Sequence, residues 1–292
     1  MIMSSINHKT VAPGAGDRLP EGPLIAWYGD DFTGAAAVME VLTFAGLPSV
    51  LFLETPTPER LGRFPGLRGV GIATTARAET PAWMSAELPD AFARLAALGA
   101  PLLHYKVCST LDSAPEIGSI GRAIEIGART FSTGVVPVVV AAPEMRRFQF
   151  QGHLFAGLGD MVYRLDRHPV MSRHPVTPMN ESDVALHISR QSDRIAPALL
   201  SLDALRAGSP LPEDTGDRIT VCAIDTIDRS TDAAAGRVIW EARDRSPFVV
   251  GSQGVEYALV AHWRKTGAID RIAPPAGLGL SLIHISEPTR LQ

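Results

Sequence analysis

Residues 24–46 read LIAWYGDDFTGAAAVMEVLTFAG. Leu24–Tyr28 is apolar throughout, as a strand buried on both faces should be. It runs through Gly29 into two aspartates, Asp30 and Asp31, and then into a helix predicted from about Ala35 to Ala45. That helix is apolar nearly all round, with Glu40 and Thr43 the main exceptions, which predicts deep burial. Gly46 closes it where a C-cap glycine is favoured, and a second strand, Ser49–Leu53, follows at once.

The same alternation continues outward. Gly69–Ala73, Leu102–Val107 and Val135–Ala142 read as strands. Helical stretches separate them at Thr80–Leu98, interrupted at Pro89, and at Pro115–Thr130, where Ile117, Ile120 and Ile124 share a face and Pro115 suits the first turn. Between Arg146 and Met179 the periodicity is lost, and His, Arg, Gly and Pro accumulate. Regular patterns return at Ser182–Gln191, Arg218–Ile224, Thr231–Asp244, Phe248–Gly251 and Val255–Lys265, with Leu205–Thr215 as a surface connection. Strand, helix, strand at these spacings predicts α/β architecture: an open, mainly parallel sheet built from βαβ units, with helices on both faces. One domain is expected over residues 22–272.

Composition sets the outer bounds. The chain has 292 residues, 46% hydrophobic and 20% charged, with a formal charge of −4. That is ordinary globular composition, without the basic excess that marks nucleic-acid binding. Cys108 and Cys222 both lie in apolar stretches and read as reduced core thiols. No apolar run approaches the roughly 20 residues of a bilayer span. Residues 1–21 are polar, lack a signal-peptide centre and are expected to be a disordered leader, so the protein is expected to be cytoplasmic. At the other end, Leu280–Gln292 reads LSLIHISEPTRLQ. It resembles one reading frame of a transposon-end adapter used in preparing sequencing libraries. We expect it to be foreign to the fold rather than a short strand before a turn at Pro288, with residues 273–279 the start of a linker.

Three segments carry candidate chemistry. Asp30-Asp31-Phe32-Thr33-Gly34 follows the first strand, and in open parallel sheets ligands bind outside the carboxyl ends of strands. Adjacent carboxylates there can bind polyol hydroxyls, hold a hydrated Mg²⁺ or accept a substrate proton; Asp31 or Thr33 can instead cap the helix. Lys106-Val-Cys-Ser109-Thr110, followed by Asp112, again stands at a strand end. It offers a cation and two hydroxyls for an anion, or simply a Ser/Thr turn with a solvated lysine. Gly118-x-x-Gly121 is not a P-loop, and no GxxxxGK[ST] occurs anywhere. The third segment is the doublet Arg167-His168-Pro169 and Arg173-His174-Pro175. Each proline biases its histidine away from helix. With Arg164, Arg146 and Arg147 these residues form a candidate cationic cluster for an anionic ligand; otherwise they make an exposed basic loop. Acids, hydroxyls and cations together suit a small polyhydroxylated carboxylate.

GDDFTGA (29–35), HYKVCSTLDSAPEIGSIGRA (104–123), SRHPVTPMNESDV (172–184) and FVVGSQG (248–254), in this order, resemble the four-carbon acid sugar kinase family. The resemblance covers about residues 24–265. It implies ATP- and Mg²⁺-dependent phosphorylation of a sugar acid such as threonate, erythronate or a 3-oxo-tetronate. The N-terminal domain of that family binds the acid, and a separate C-terminal domain supplies most of the nucleotide site. Carried over by motif, Asp31 and Asp30 are the candidate catalytic residues. Thr33, Gly34, Lys106, Ser109, Thr110, Arg147, Arg173 and His174 are the candidate substrate-binding residues, and no metal ligand is assigned. Two departures stand out. Cys108 and Leu111-Asp112 replace the commoner residues around Ser-Thr, and Arg146 replaces the glycine before Arg147. The SAPEIGSIGRA stretch is similar to a subgroup that includes 3-oxo-isoapionate kinases. The nucleotide site is expected in a C-terminal domain that this sequence lacks, which would leave the chain inactive alone. A non-catalytic sugar-acid-binding module and a Mg²⁺-dependent hydrolase using Asp30 and Asp31 are the competing expectations. Neither the particular acid nor the oligomeric state is specified by these motifs.

Overall fold

A computed structural model describes residues 18–270. The expectations for most of the leader, the linker and the adapter-like tail lie outside the described residues. Hydrophobic strand segments alternate with helices as follows: β1 (Ile25–Gly29), α1 (Phe32–Phe44), β2 (Ser49–Phe52), α2 (Pro58–Gly62), β3 (Gly69–Ala73), α3 (Pro81–Ala96), β4 (Leu102–Lys106), α4 (Ile120–Thr130) and β5 (Val135–Val139). Three short strands follow, β6 (Arg147–Phe150), β7 (His153–Leu158) and β8 (Met161–Arg164). The described chain then runs through α5 (Val184–Ser189), β9 (Ile195–Leu200), α6 (Leu202–Arg206), β10 (Ile219–Ile224), α7 (Arg229–Ala242), β11 (Phe248–Gly251) and α8 (Gly254–Thr266).

Eight strands make one sheet in the order β2-β3-β1-β4-β11-β5-β10-β9, and every pairing is parallel. Strands β1, β3, β4, β5 and β11 are buried along their whole length, which is why they read as unbroken apolar runs. One face packs Met84, Leu88, Phe92 and Leu95 of α3 together with Ile120, Ile124 and Ile126 of α4. The other packs Val38 and Leu42 of α1 with Val238 and Ile239 of α7 and Leu259 and Trp263 of α8. The α/β sheet with helices on both faces is thus as expected.

The differences have local causes. Helix α3 is continuous through Pro89, because Met84, Leu88, Phe92 and Leu95 bury one face while Pro89 lies on the exposed side, where water can satisfy the freed carbonyl. Helix α4 begins five residues later than Pro115. Gly118 takes φ +58, and the Ser119 side chain accepts the N–H of Arg122 as N-cap. Helix α1 is half-buried rather than deeply buried, and Phe32 and Phe44 each stay 50% exposed despite its apolar composition. The stretch expected to be irregular after Arg146 is largely an antiparallel sheet, β6-β7-β8. Its first hairpin turns on Gln151 (φ +51) and Gly152 (φ +80), the left-handed pair that two-residue hairpins require.

Candidate active site

The carboxyl ends of β1 and β4 and the turn after β3 enclose a cleft of about 380 Å³. Asp30 is strapped at both backbone groups: its N–H donates to the Lys106 carbonyl (3.0 Å), and its carbonyl accepts the N–H of Arg77 (3.0 Å). Its carboxylate is 2% exposed and fully engaged. Arg77 donates from Nε to Asp30 Oδ2 (3.1 Å) and from Nη2 to Asp30 Oδ1 (2.7 Å). The same Nη2 reaches Asp31 Oδ1 at 2.8 Å, and Nη1 lies 4.0 Å from Asp112 Oδ2. One guanidinium therefore faces three carboxylates.

Burial pushes the Asp30 carboxyl above the ordinary carboxylate value, against the hydrogen bonds and charge of Arg77 and the charge of Lys106. Burial alone would lower Arg77, but the hydrogen bonds and charge of Asp30 outweigh it and raise its pKa. Asp31 is the N-cap of α1, accepting the Gly34 N–H at Oδ1 (3.0 Å). Its Oδ2 has no protein hydrogen bond among the described residues. Capping and site chemistry thus fall on the two oxygens of one side chain.

Lys106 is 2% exposed, and its Nζ donates to the Val107 carbonyl at 2.7 Å. It stands behind the cleft rather than on its wall, so it is not the solvated turn lysine that the sequence allowed. Gly34 makes room for it: a Cβ there would lie 2.2 Å from Lys106 Nζ and 2.4 Å from Asp31 Oδ1. Gly34→Ala is therefore expected to displace the lysine and weaken the α1 cap, lowering unfolding free energy by about 1–3 kcal/mol in urea titration. An unchanged midpoint would show that Lys106 has another low-energy position.

The turn after β4 is wound tightly. Thr110 Oγ1 donates to Asp112 Oδ1 (2.8 Å) and lies 2.9 Å from Cys108 Sγ. Between them Leu111 holds a left-handed φ of +55 with its side chain fully buried, a conformation that costs a β- or γ-branched residue free energy. Ser113 pins the turn by donating to the Leu111 carbonyl and meeting His187 Nε2, both at 2.9 Å. Burial lowers His187 to about 4, so this pin is a neutral imidazole near pH 7.

Of the candidate residues, Asp30, Asp31 and His174 line the cleft, with Arg77, Asp112, Thr74, Thr75, Val176 and Thr177. Thr110 is buried and reaches the cleft through Asp112; Gly34 and Lys106 support it from behind. Ser109 lies half-buried in the same turn, Thr33 is exposed on the first turn of α1, and Arg173 is exposed, all three off the cleft wall. Arg147 opens β6 and donates from Nη1 to the carbonyls of Met145 (3.2 Å), Arg146 (3.3 Å) and Gly157 (3.3 Å). The expected cationic cluster does not assemble. Arg164 makes two 2.7 Å bonds to Asp166, Arg167 lies 3.7 Å from the same carboxylate, and His168 is buried with Nδ1 accepting the N–H groups of Val170 and Met171. Arg77 is the residue that the sequence reading missed. The one clue was position: β3 pairs with β1 to Gly29↔Ala73, so the turn after β3 must open beside Asp30.

The sugar-binding N-terminal domain family matches residues 25–259. A 3-oxo-isoapionate kinase of Paraburkholderia graminis is 51% identical over 258 residues, covering 86% of this chain and 54% of that protein. A 3-oxo-tetronate kinase of Cupriavidus necator is 27% identical, covering 92% of this chain and 60% of its own length. The chain thus spans little more than half of these curated relatives. A solved Salmonella typhimurium structure described as a putative tRNA synthase superposes with a TM-score of 0.72 at 24% identity, over 86% of this chain and 57% of that one. At that identity the likeness bears on the fold alone. The chain belongs to the family of sugar-binding N-terminal domains, that of the four-carbon acid sugar kinases.

Proposed function

We propose that this chain binds a small sugar acid, of 3-oxo-isoapionate, threonate, erythronate or 3-oxo-tetronate type, as the substrate half of an ATP-dependent sugar-acid kinase. The observation that carries the reading is the division of labour between two aspartates in one cleft. Both oxygens of Asp30 are held by Arg77, whereas Asp31 keeps Oδ2 open. Asp30 and Arg77 set the position; Asp31 Oδ2 receives a substrate hydroxyl and takes its proton when that oxygen becomes a nucleophile. The engagement of Asp30 by Arg77 also speaks against the metal-dependent hydrolase, which would need that carboxylate for a cation.

In this reading ATP and Mg²⁺ are held mainly outside the residues described. The turn after β11 is filled by its own side chain, with Ser252 Oγ donating to the Val140 carbonyl (2.7 Å) and accepting the Gly254 N–H (2.9 Å). No group of three or more His, Cys, Asp or Glu side chains among the described residues suits a metal ion. In this reading the nucleotide belongs to the part of the longer relatives that this chain does not cover. No helix among the described residues is long and apolar enough to cross a membrane.

Calorimetric titration of the chain with threonate, 3-oxo-isoapionate and, separately, Mg·ATP tests the proposal. Binding of an acid without binding of nucleotide is expected. Nucleotide binding by this chain, or binding of no acid at all, would overturn it. In an enzyme completed by a nucleotide-binding half, Asp31→Asn is expected to lower kcat by a factor of at least about 100, with KM changed less than about tenfold. Equal losses in both would make Asp31 a binding residue only.

A further inference from the structure

The groups that line the cleft differ in chemistry, and few of them suit an anion. At the β1 end stand Asp30, Asp31 and Asp112 around a single guanidinium. Three of the Arg77 contacts there are spent on Asp30 and Asp31, and Nη1 faces Asp112, so a substrate carboxylate would meet three negative groups whose facing cation is already shared, while Lys106 stands behind them, bonded to the Val107 carbonyl. The two threonines of the wall are also occupied: Thr74 Oγ1 donates to the Gly29 carbonyl (2.8 Å) and Thr75 Oγ1 to Glu79 Oε1 (3.0 Å).

The same cleft is also lined by His174, Val176 and Thr177, which come from the loop after β8. There the Thr177 N–H donates to His174 Nδ1 at 3.1 Å, and the Thr177 hydroxyl lies 3.0 Å from the same nitrogen. A nitrogen that accepts a backbone N–H carries no proton of its own, so the ring proton of the neutral imidazole is on Nε2. Nε2 has no protein acceptor among the described residues. His174, which lines the cleft, thus carries a fixed N–H donor that no protein group among the described residues occupies.

We infer that His174 Nε2–H is the donor that receives the substrate's carboxylate, and so makes this cleft select an acid over the corresponding neutral polyol. The inference rests on the sugar-acid reading above and adds an orientation to it: anionic end at His174, hydroxyl end at Asp31. Thr177 acts through the histidine, as a positioning residue that fixes the tautomer.

The test compares threonate with threitol, its uncharged polyol counterpart, by titrating the wild-type chain, His174→Ala and His174→Gln. Threonate affinity is expected to fall roughly ten- to hundredfold in His174→Ala, the scale of one charge-assisted hydrogen bond, while threitol affinity changes less than about threefold. A variant-independent readout uses ¹⁵N-labelled histidine in the wild-type chain, with the His174 signal assigned from the Gln variant. Threonate is expected to shift the Nε2 resonance and leave Nδ1 as the unprotonated nitrogen, and threitol to shift neither. If threonate binds, but His174→Ala weakens acid and polyol alike or the Nε2 resonance stays still, the orientation is wrong and the sugar-acid reading stands. If no acid binds the wild-type chain, both fall together.

Discussion

Arg77→Met is expected to destabilise the fold by about 3–5 kcal/mol near neutral pH, the cost of removing one partner from a buried ion pair. Asp30 is 2% exposed and both of its oxygens accept from Arg77. Without the guanidinium it must ionise in a buried setting with Lys106 as its remaining counter-charge, or stay protonated. The sign with pH follows. Burial already raises the Asp30 carboxyl in the wild-type fold, and losing Arg77 raises it further. The deficit should therefore be smallest at low pH, where Asp30 is neutral in both folded and unfolded chains, and grow as pH rises. Urea unfolding at pH 5 and pH 8 reads it directly. Arg77→Met/Asp30→Asn should recover most of the loss at pH 8. A double variant no more stable than the single one would mean that Arg77 stabilises by packing rather than by charge.

Asp232→Asn is expected to have the opposite effect, a gain in stability that appears only as pH rises. Asp232 lies in the first turn of α7, is 2% exposed, and has an Oδ1 without a hydrogen-bond partner. Burial, with Asp228 and Glu144 nearby, raises its pKa from 3.8 to about 7. A folded-state pKa above the unfolded one favours the fold while the group is protonated, and this advantage is lost between roughly pH 4 and pH 7. Ionising the carboxyl so displaced costs up to ~4 kcal/mol, and local relaxation of its surroundings brings the expected gain from Asn to about 1–3 kcal/mol at pH 8. At pH 4 the variant and the parent should unfold at the same urea concentration. A gain of equal size at both pH values would show that the carboxylate charge is not its cause.

These two arginine and aspartate sites differ in how far the sequence announced them. Asp30 and Asp31 were legible because an apolar strand delivers them to a sheet edge where α/β proteins bind ligands. Arg77 was not, because it comes from the turn after a different strand, and only the pairing of β3 with β1 brings it to Asp30. His174 was visible as part of a motif, but its neighbours misled: the arginines around it are paired with Asp166 or face solvent, and the useful partner is the backbone of Thr177. In the fold, long two-face-buried strands were plain, whereas β9 reads IAPALL, with a half-buried alternating pattern and a proline, at the edge of the sheet where both are tolerated. Strands β6–β8 were missed for a similar reason. They are short, and their signal lay in the turn residues Gln151-Gly152 and Gly159 rather than in hydrophobic period.

The position of β11 carries a consequence for how the polypeptide is made. It is the last strand in the described chain, yet it lies between β4 and β5 in the middle of the sheet. Until Phe248–Gly251 has left the ribosome, β2-β3-β1-β4 and β5-β10-β9 are two half-sheets, each with an unpaired apolar edge. Pairing Phe248 with Leu103 closes a very long loop, so the central joint forms late and slowly. The nascent chain therefore passes through a stage in which two sticky edges await one four-residue keystone, the stage at which chaperone protection matters most.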